Sequence, residues 1–229
     1  MCGKFTQYAS WSEVHAFSQP LVVKDEVVVS TPMRFANIMR LRTEERGAAR
    51  GESHSPAQGQ REMVPMRWGF AAKNHATPSR PKHMHARSET IDKLPTFKTS
   101  FEHQRGILMV HTFNEGEELP NGKTKQWVIT PNDGKPIAIA VIYEEWTNGP
   151  EKLLTFIQVT TPANQLISRI TDRMPAILQP ADWSLWLGER DAPLGEVKAV
   201  LRTYEDAGSW TMTEQAPSKK NAPHQPSLF

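Results

Sequence analysis

Two apolar runs, Ile137–Tyr143 (IAIAVIY) and Leu153–Thr160 (LLTFIQVT), constrain this chain more than any other feature. Each is too short for a core helix of ordinary length, and each is rich in β-branched and aromatic residues, so both read as buried strands. Ile107–Val110, Trp127–Thr130 and residues 21–29 (LVVKDEVVV) have the same character, and Asn132-Asp133-Gly134 supplies a turn between two of them. Helical signals are few and peripheral. Residues 11–18 follow a capping Ser12, residues 180–188 run from Pro180 to Gly188, and residues 194–202 give one more short segment. This pattern predicts an α+β fold: one β-rich domain over residues 1–215 with an antiparallel, barrel-like sheet and peripheral helices. Residues 43–60 are polar and aperiodic, which predicts a mobile loop, and the Pro-, Lys- and Ser-rich residues 216–229 predict a flexible tail.

With 38% hydrophobic and 23% charged residues among 229, the chain has material for a packed core. No apolar run approaches the roughly 20 residues that span a bilayer, and the start (MCGKFTQYASWSE) lacks a secretory signal, so no membrane role and a cytoplasmic location are expected. The formal net charge of +2 says little about partners, but its distribution is uneven. Arg34, Arg40, Arg42, Arg46 and Arg50 face two Glu in one segment. Arg80, Lys82 and Arg87 share another with two His and no acid. Such clusters are either solvated faces or nucleic-acid contacts.

The single cysteine sits at position 2, which excludes an internal disulfide and a four-thiolate metal centre; no metal or other cofactor is expected. Removal of Met1, which small second residues permit, would leave an α-amine and a thiol on adjacent carbons. With an amine near about 7.7–8.0 and a thiol near about 8.5, both are partly nucleophilic at neutral pH. An aldehyde would give an imine with the amine, and the thiol would close onto the same carbon to form a five-membered thiazolidine. N-terminal-nucleophile amidotransferases also begin Met-Cys-Gly, but Phe113-Asn114-Glu115-Gly116 has the wrong order for their glutamine-holding motif.

Blocks spread over about residues 1–188 resemble the SOS-response-associated peptidase family, also called abasic-site processing proteins. They are Met1-Cys2-Gly3-Lys4-Phe5, Met66-Arg67-Trp68-Gly69-Phe70, Ala86-Arg87-Ser88-Glu89-Thr90, Arg105 through Glu115, Phe156 to Asn164, and Asp172-Arg173-Met174-Pro175. The resemblance implies a bacterial DNA-repair enzyme, acting as a monomer and nucleoid-associated when bound. It would hold single-stranded DNA and link Cys2 covalently to the ring-opened sugar of an abasic site, with self-processing at Met1. It implies Glu115 as the proton-transfer carboxylate. Lys4, Arg67 and Arg87 become phosphate ligands, Pro32 lines the DNA groove, Trp68 and Phe70 stack bases, and Thr160 and Arg173 are further DNA-binding residues. Without the resemblance, Glu115 reads as a solvated turn glutamate and the two aromatics as core residues.

Three positions depart from the family pattern. His85 stands where the family has Asn, Thr171 where it has a His used in ring opening, and Val29 where it has Asn. A threonine does not shuttle protons near neutral pH, whereas an imidazole does, so His85 is the candidate to take over that work. The alternative is a member that binds single strands without efficient chemistry. Finally, Gln225-Pro226-Ser227-Leu228-Phe229 resembles a bacterial sliding-clamp-binding pentapeptide, making the clamp a second candidate partner through Gln225, Leu228 and Phe229.

Overall fold

The protein is seen in a computed structural model that describes residues 3–7, 28–42, 60–71, 81 and 83–215. Cys2, residues 8–27, the predicted loop after residue 42 and the tail from residue 216 lie outside the described residues.

The two dominant apolar runs pair with each other. Strand β9 (Ile137–Asn148) and strand β10 (Glu151–Pro162) form an antiparallel hairpin, with Tyr143 opposite Phe156 and Val141 opposite Gln158. From β10 the hydrogen-bonded path continues to β4 (Arg61–Trp68), β3 (Phe35–Leu41) and β6 (Arg105–Val110), then returns to β9. These five strands therefore close a ring, the predicted barrel-like sheet. Most pairings are antiparallel, but β10 runs parallel to β4 and to the short β5 (His85–Arg87). Strand β11 (Arg173–Pro175) extends the same sheet from the end of β10.

Alternation along the strands divides the apolar side chains between two clusters. Ile38, Met66, Trp68, Leu108, Val110, Ile139, Val141, Tyr143 and Phe156 share one. Met39, Ile107, Met109, Ala138, Ala140, Ile142, Ile157 and Val159 share the other with helical residues. Helices cannot enter a five-stranded ring, so the second cluster is the outside and the first the inside. Ala138 and Ala140 keep the outer surface flat where helices approach, while their inward neighbours are large. Gly106 answers the crowding inside: a Cβ there would lie 2.6 Å from Ile38 Cγ2 and 3.0 Å from the Met39 carbonyl.

Among the described residues, three short helices cover the outside. Helix α1 (Pro95–His103) begins with proline at its first turn and buries Phe97, Ser100 and Phe101 at helical spacing. Arg105 donates to the carbonyls of Phe101 and Glu102 at 2.8 and 2.7 Å, satisfying acceptors that the helix end leaves over. Helix α2 (Trp183–Leu187) buries Trp186, whose indole donates to the Gly106 carbonyl at 2.8 Å. Helix α3 (Leu194–Ala199) adds Val197 to the same cluster.

A second sheet of five strands runs in the order β12 (Trp210–Glu214), β8 (Thr124–Pro131), β7 (Thr112–Glu118), β1 (Lys4–Gln7) and β2 (Val28–Ser30), all antiparallel. Its Phe5, Phe113, Ile129 and Trp210 join the inner cluster. Through these side chains the sheet packs against the inner cluster, and Phe5, Phe113 and Trp68 meet at the seam between sheet and barrel. No helix among the described residues is long and apolar enough to cross a membrane.

Candidate functional site

Strand β7 carries Phe113 and Glu115 on the same face, one pleat apart, and both are fully buried. Glu115 is therefore a strand residue with its carboxylate taken out of water, contrary to the solvated-turn reading; Trp127 of β8 lies opposite it in register. On the other edge of β7, Lys4 pairs with Asn114 and Phe5 with Phe113. The first strand of the chain therefore runs beside the strand that holds the buried carboxylate.

Aromatic contacts lead from there to His85. Phe5 meets Trp68 at 5.2 Å between ring centres, and Trp68 stacks on Phe156 at 6.3 Å. Trp68 and the His85 ring meet edge to face at 5.9 Å and 84°. His85 is half-buried on β5, directly opposite Gln158 of β10. Trp68 and Phe70 are 0% and 4% exposed, so neither offers a ring face to a base. The Trp68 indole donates to the Met84 carbonyl at 3.1 Å, which makes it the wall behind His85. Tertiary packing covers both rings that the sequence reading offered for base stacking.

The glycine after Trp68 has a clear physical basis. Gly69 adopts φ +104°, and a Cβ there would stand 2.4 Å from Pro81 Cγ and 2.9 Å from Met84 Sδ. The chain leading into β5 passes over this point, so only glycine lets His85 approach the barrel.

Arg67 alternates away from Trp68 onto the outer face. The register places Glu144, Thr155, Arg67 and Phe35 in one row across four strands. Arg67 is only 7% exposed, burial lowers its pKa, and a buried carboxylate, Glu144, sits two strands away in the row. That environment suits a structural cation better than the phosphate ligand predicted.

Arg173 is likewise buried. Its guanidinium engages both carboxylate oxygens of Glu89 and donates to the Thr160 carbonyl at 2.8 Å and the Thr160 hydroxyl at 3.3 Å. This planar fork holds the Glu89 carboxyl at about 2, well below the usual range for a glutamate. Arg173 and Thr160 therefore knit β11, β10 and the turn after β5 together; in this structure those donors face protein, not solvent. Asn164 is a third structural member of these blocks, accepting from the amides of Leu166 and Ile167 at 3.1 Å and donating to the Tyr204 carbonyl at 2.9 Å.

Arg87 and Pro32 are exposed, and Lys4 is half-buried. Arg87 lies opposite Thr160 at the end of β5. Thr171 is half-buried just after a single 3-10 turn (Ile167–Arg169), its amide donating to the Ile167 carbonyl at 3.1 Å. Sequence reasoning missed Gln158, which is fully buried with neither amide atom hydrogen-bonded among the described residues. Its signal was there: one carboxamide in an otherwise apolar run, on the side that later carries Thr160. No group of three or more His, Cys, Asp or Glu positioned to hold a metal occurs among the described residues.

Residues 1–216 match the SOS response associated peptidase (SRAP) family as a whole. The chain belongs to the SRAP family. Among relatives, it is 31% identical over 145 residues to the abasic site processing protein YoqW of Bacillus subtilis, covering 61% of this chain and 64% of YoqW. It is 23% identical over 172 residues to the abasic site processing protein HMCES of Xenopus tropicalis, covering 64% of this chain and 51% of HMCES. The aligned region thus spans less than two thirds of either relative. A crystal structure of a Bordetella bronchiseptica protein superposes with a TM-score of 0.74 at 20% identity, covering 94% of this chain and all of that one, which establishes a shared fold.

Proposed function

We propose that this SRAP protein captures abasic sites in single-stranded DNA through a thiazolidine formed by Cys2. The observation that carries the reading is the pairing of β1 with β7. It ties the start of the chain to the strand that holds Glu115, a carboxylate with 0% exposure. The relatives named as abasic site processing proteins support the same substrate.

In the proposed chemistry Met1 is first removed by hydrolysis, by the chain itself or by an aminopeptidase. The Cys2 amine then adds to the aldehyde carbon of the ring-opened sugar. The resulting carbinolamine loses one water to give an imine. The thiol sulfur adds to the imine carbon while its proton passes to nitrogen, closing the ring. The net change is aldehyde plus aminothiol giving thiazolidine plus water.

Glu115 is the group that delivers and recovers the protons of ring opening and dehydration. His85, whose ring meets Trp68 at 5.9 Å, supplies a second titratable group where Thr171 cannot. Arg87 and Lys4 give the site its exposed and half-exposed positive charge, with Pro32 at its margin. Contact with a sliding clamp through Gln225, Leu228 and Phe229 remains part of the proposal.

A denaturing gel with an abasic oligonucleotide tests the covalent step. Wild-type protein should leave a heat-stable shifted band. Cys2→Ser should leave at most a labile imine, and an equally stable band from Cys2→Ala would overturn the thiazolidine. The second reading, a non-covalent single-strand binder, draws on Thr171, which places no titratable side chain where the family has His. It predicts binding with no shifted band at all.

A further inference from the structure

The turn between β2 and β3 carries an apolar ledge that the chemistry above does not use. Met33 and Phe35 are 40% and 51% exposed, two of the four large apolar side chains so exposed among the described residues. They flank the exposed Arg34 and follow the exposed Pro32. Met33 is also the one described non-glycine residue with positive φ, at +69°. A left-handed methionine costs roughly 1 kcal/mol, and such conformations persist where surrounding structure holds them.

Here the holding contacts are explicit. The Met33 amide donates to the Trp68 carbonyl at 3.0 Å, the Trp68 amide to the Arg34 carbonyl at 2.9 Å, and the Arg34 amide to the Thr31 carbonyl at 3.0 Å. The turn is therefore fastened to β4 at Trp68, the residue that backs His85. A rigid turn that spends backbone strain to present Met and Phe to water is unusual for a surface that only needs solubility. The turn's own charge is Arg34, with no acidic residue in residues 28–42; Arg40 on β3 and Arg42 just after it pair with Glu62.

We propose that Met33 and Phe35 form a stacking ledge for a nucleobase of the bound DNA strand, with Arg34 on the adjoining phosphate. This rests on the reading that the protein holds single-stranded DNA. Nucleobases match the surface in both respects, since each offers an apolar π-face and brings a phosphate within reach of a neighbouring cation. The ledge also supplies the stacking function that Trp68 and Phe70 cannot, because both are buried. An acidic protein segment would use the charge but has little use for two exposed apolar side chains on either side of it.

The test is fluorescence anisotropy of an intact single-stranded oligonucleotide, titrated with full-length protein across a range of salt. Met33→Gly/Phe35→Ser should weaken binding about tenfold at every salt concentration, because stacking neutralises no phosphate. The slope of log affinity against log salt should stay unchanged. Arg34→Gln should instead reduce that slope by about 0.7, the value for one phosphate contact on a single strand. Leu94→Ser, which removes an exposed apolar residue before α1, should bind like wild type. Met33→Gly alone relieves the positive φ, so a loss of affinity with an unchanged or raised melting temperature cannot be assigned to unfolding. Affinity of the double variant within threefold of wild type, or a changed salt slope, would overturn the ledge while leaving DNA binding intact. Failure of wild-type protein to bind the oligonucleotide would overturn the underlying function instead.

Discussion

Replacing Glu89 with Gln separates the two roles open to Arg173, structural cation or phosphate ligand. The Arg173 guanidinium holds the Glu89 carboxyl at about 2, against 4.5 for an ordinary glutamate. Because the folded value is depressed, the pair stabilises the fold in full above 4.5, and that stabilisation is lost as pH falls toward about 2. At 1.36 kcal/mol per tenfold change in proton affinity, the ceiling is about 3.4 kcal/mol. The Glu89 side chain is 46% exposed, however, so water screens the pair and the real effect is nearer about 1 kcal/mol. Urea unfolding should therefore show Glu89→Gln less stable by about 1 kcal/mol at pH 7, the two proteins converging to within about 0.3 kcal/mol near pH 2. DNA affinity in the variant should keep its salt slope, since Arg173 serves β10 and β11 rather than phosphate. Equal stability at pH 7, or a gap that persists at pH 2, would refute the ion-pair reasoning. A changed salt slope would return Arg173 to the DNA.

Glu115→Gln should slow crosslinking to abasic DNA by about 100-fold or more, with affinity for intact strands within twofold of wild type; collapse of affinity would make the buried carboxylate structural. Gln158→Leu removes a buried amide that has no hydrogen bond among the described residues, so melting should show a gain of about 1 kcal/mol. If Gln158 helps to set the His85 ring opposite it, single-turnover crosslinking should slow in the same variant. Gly106→Ala should cost about 1–3 kcal/mol in urea unfolding, because its Cβ would meet Ile38 at 2.6 Å inside the barrel; neutral behaviour would mean the inside is looser than the register implies.

The parts of the fold legible in the sequence are those whose burial is complete. Strands β9 and β10 are apolar on both faces because helices cover one side and the barrel interior the other, so their runs stand out. Strand β7 (TFNEGEE) hid as a loop, since only Phe113 and Glu115 turn inward and the second is charged. Strand β4 hid behind Pro65, which its strand tolerates by facing outward and exposed. Helix α1 was missed because its buried face is two phenylalanines and a serine among polar residues. At the site, Cys2 announced itself by chemistry, but Glu115 was found only through family resemblance. Trp68, Phe70, Arg67 and Arg173 were assigned to DNA through the same resemblance. Resemblance does not reveal alternation, and alternation turned Arg67 outward and packed Trp68 behind His85.

Intact-mass spectrometry before and after incubation with an abasic oligonucleotide tests the central claim most directly. Capture by the Cys2 aminothiol requires a free protein lighter by Met1 and an adduct equal to that mass plus the oligonucleotide minus one water. The adduct should survive denaturation without a reductant, and Cys2→Ala should not form it. A retained Met1, or a stable adduct of the same mass relation in Cys2→Ala, would contradict capture by the Cys2 aminothiol.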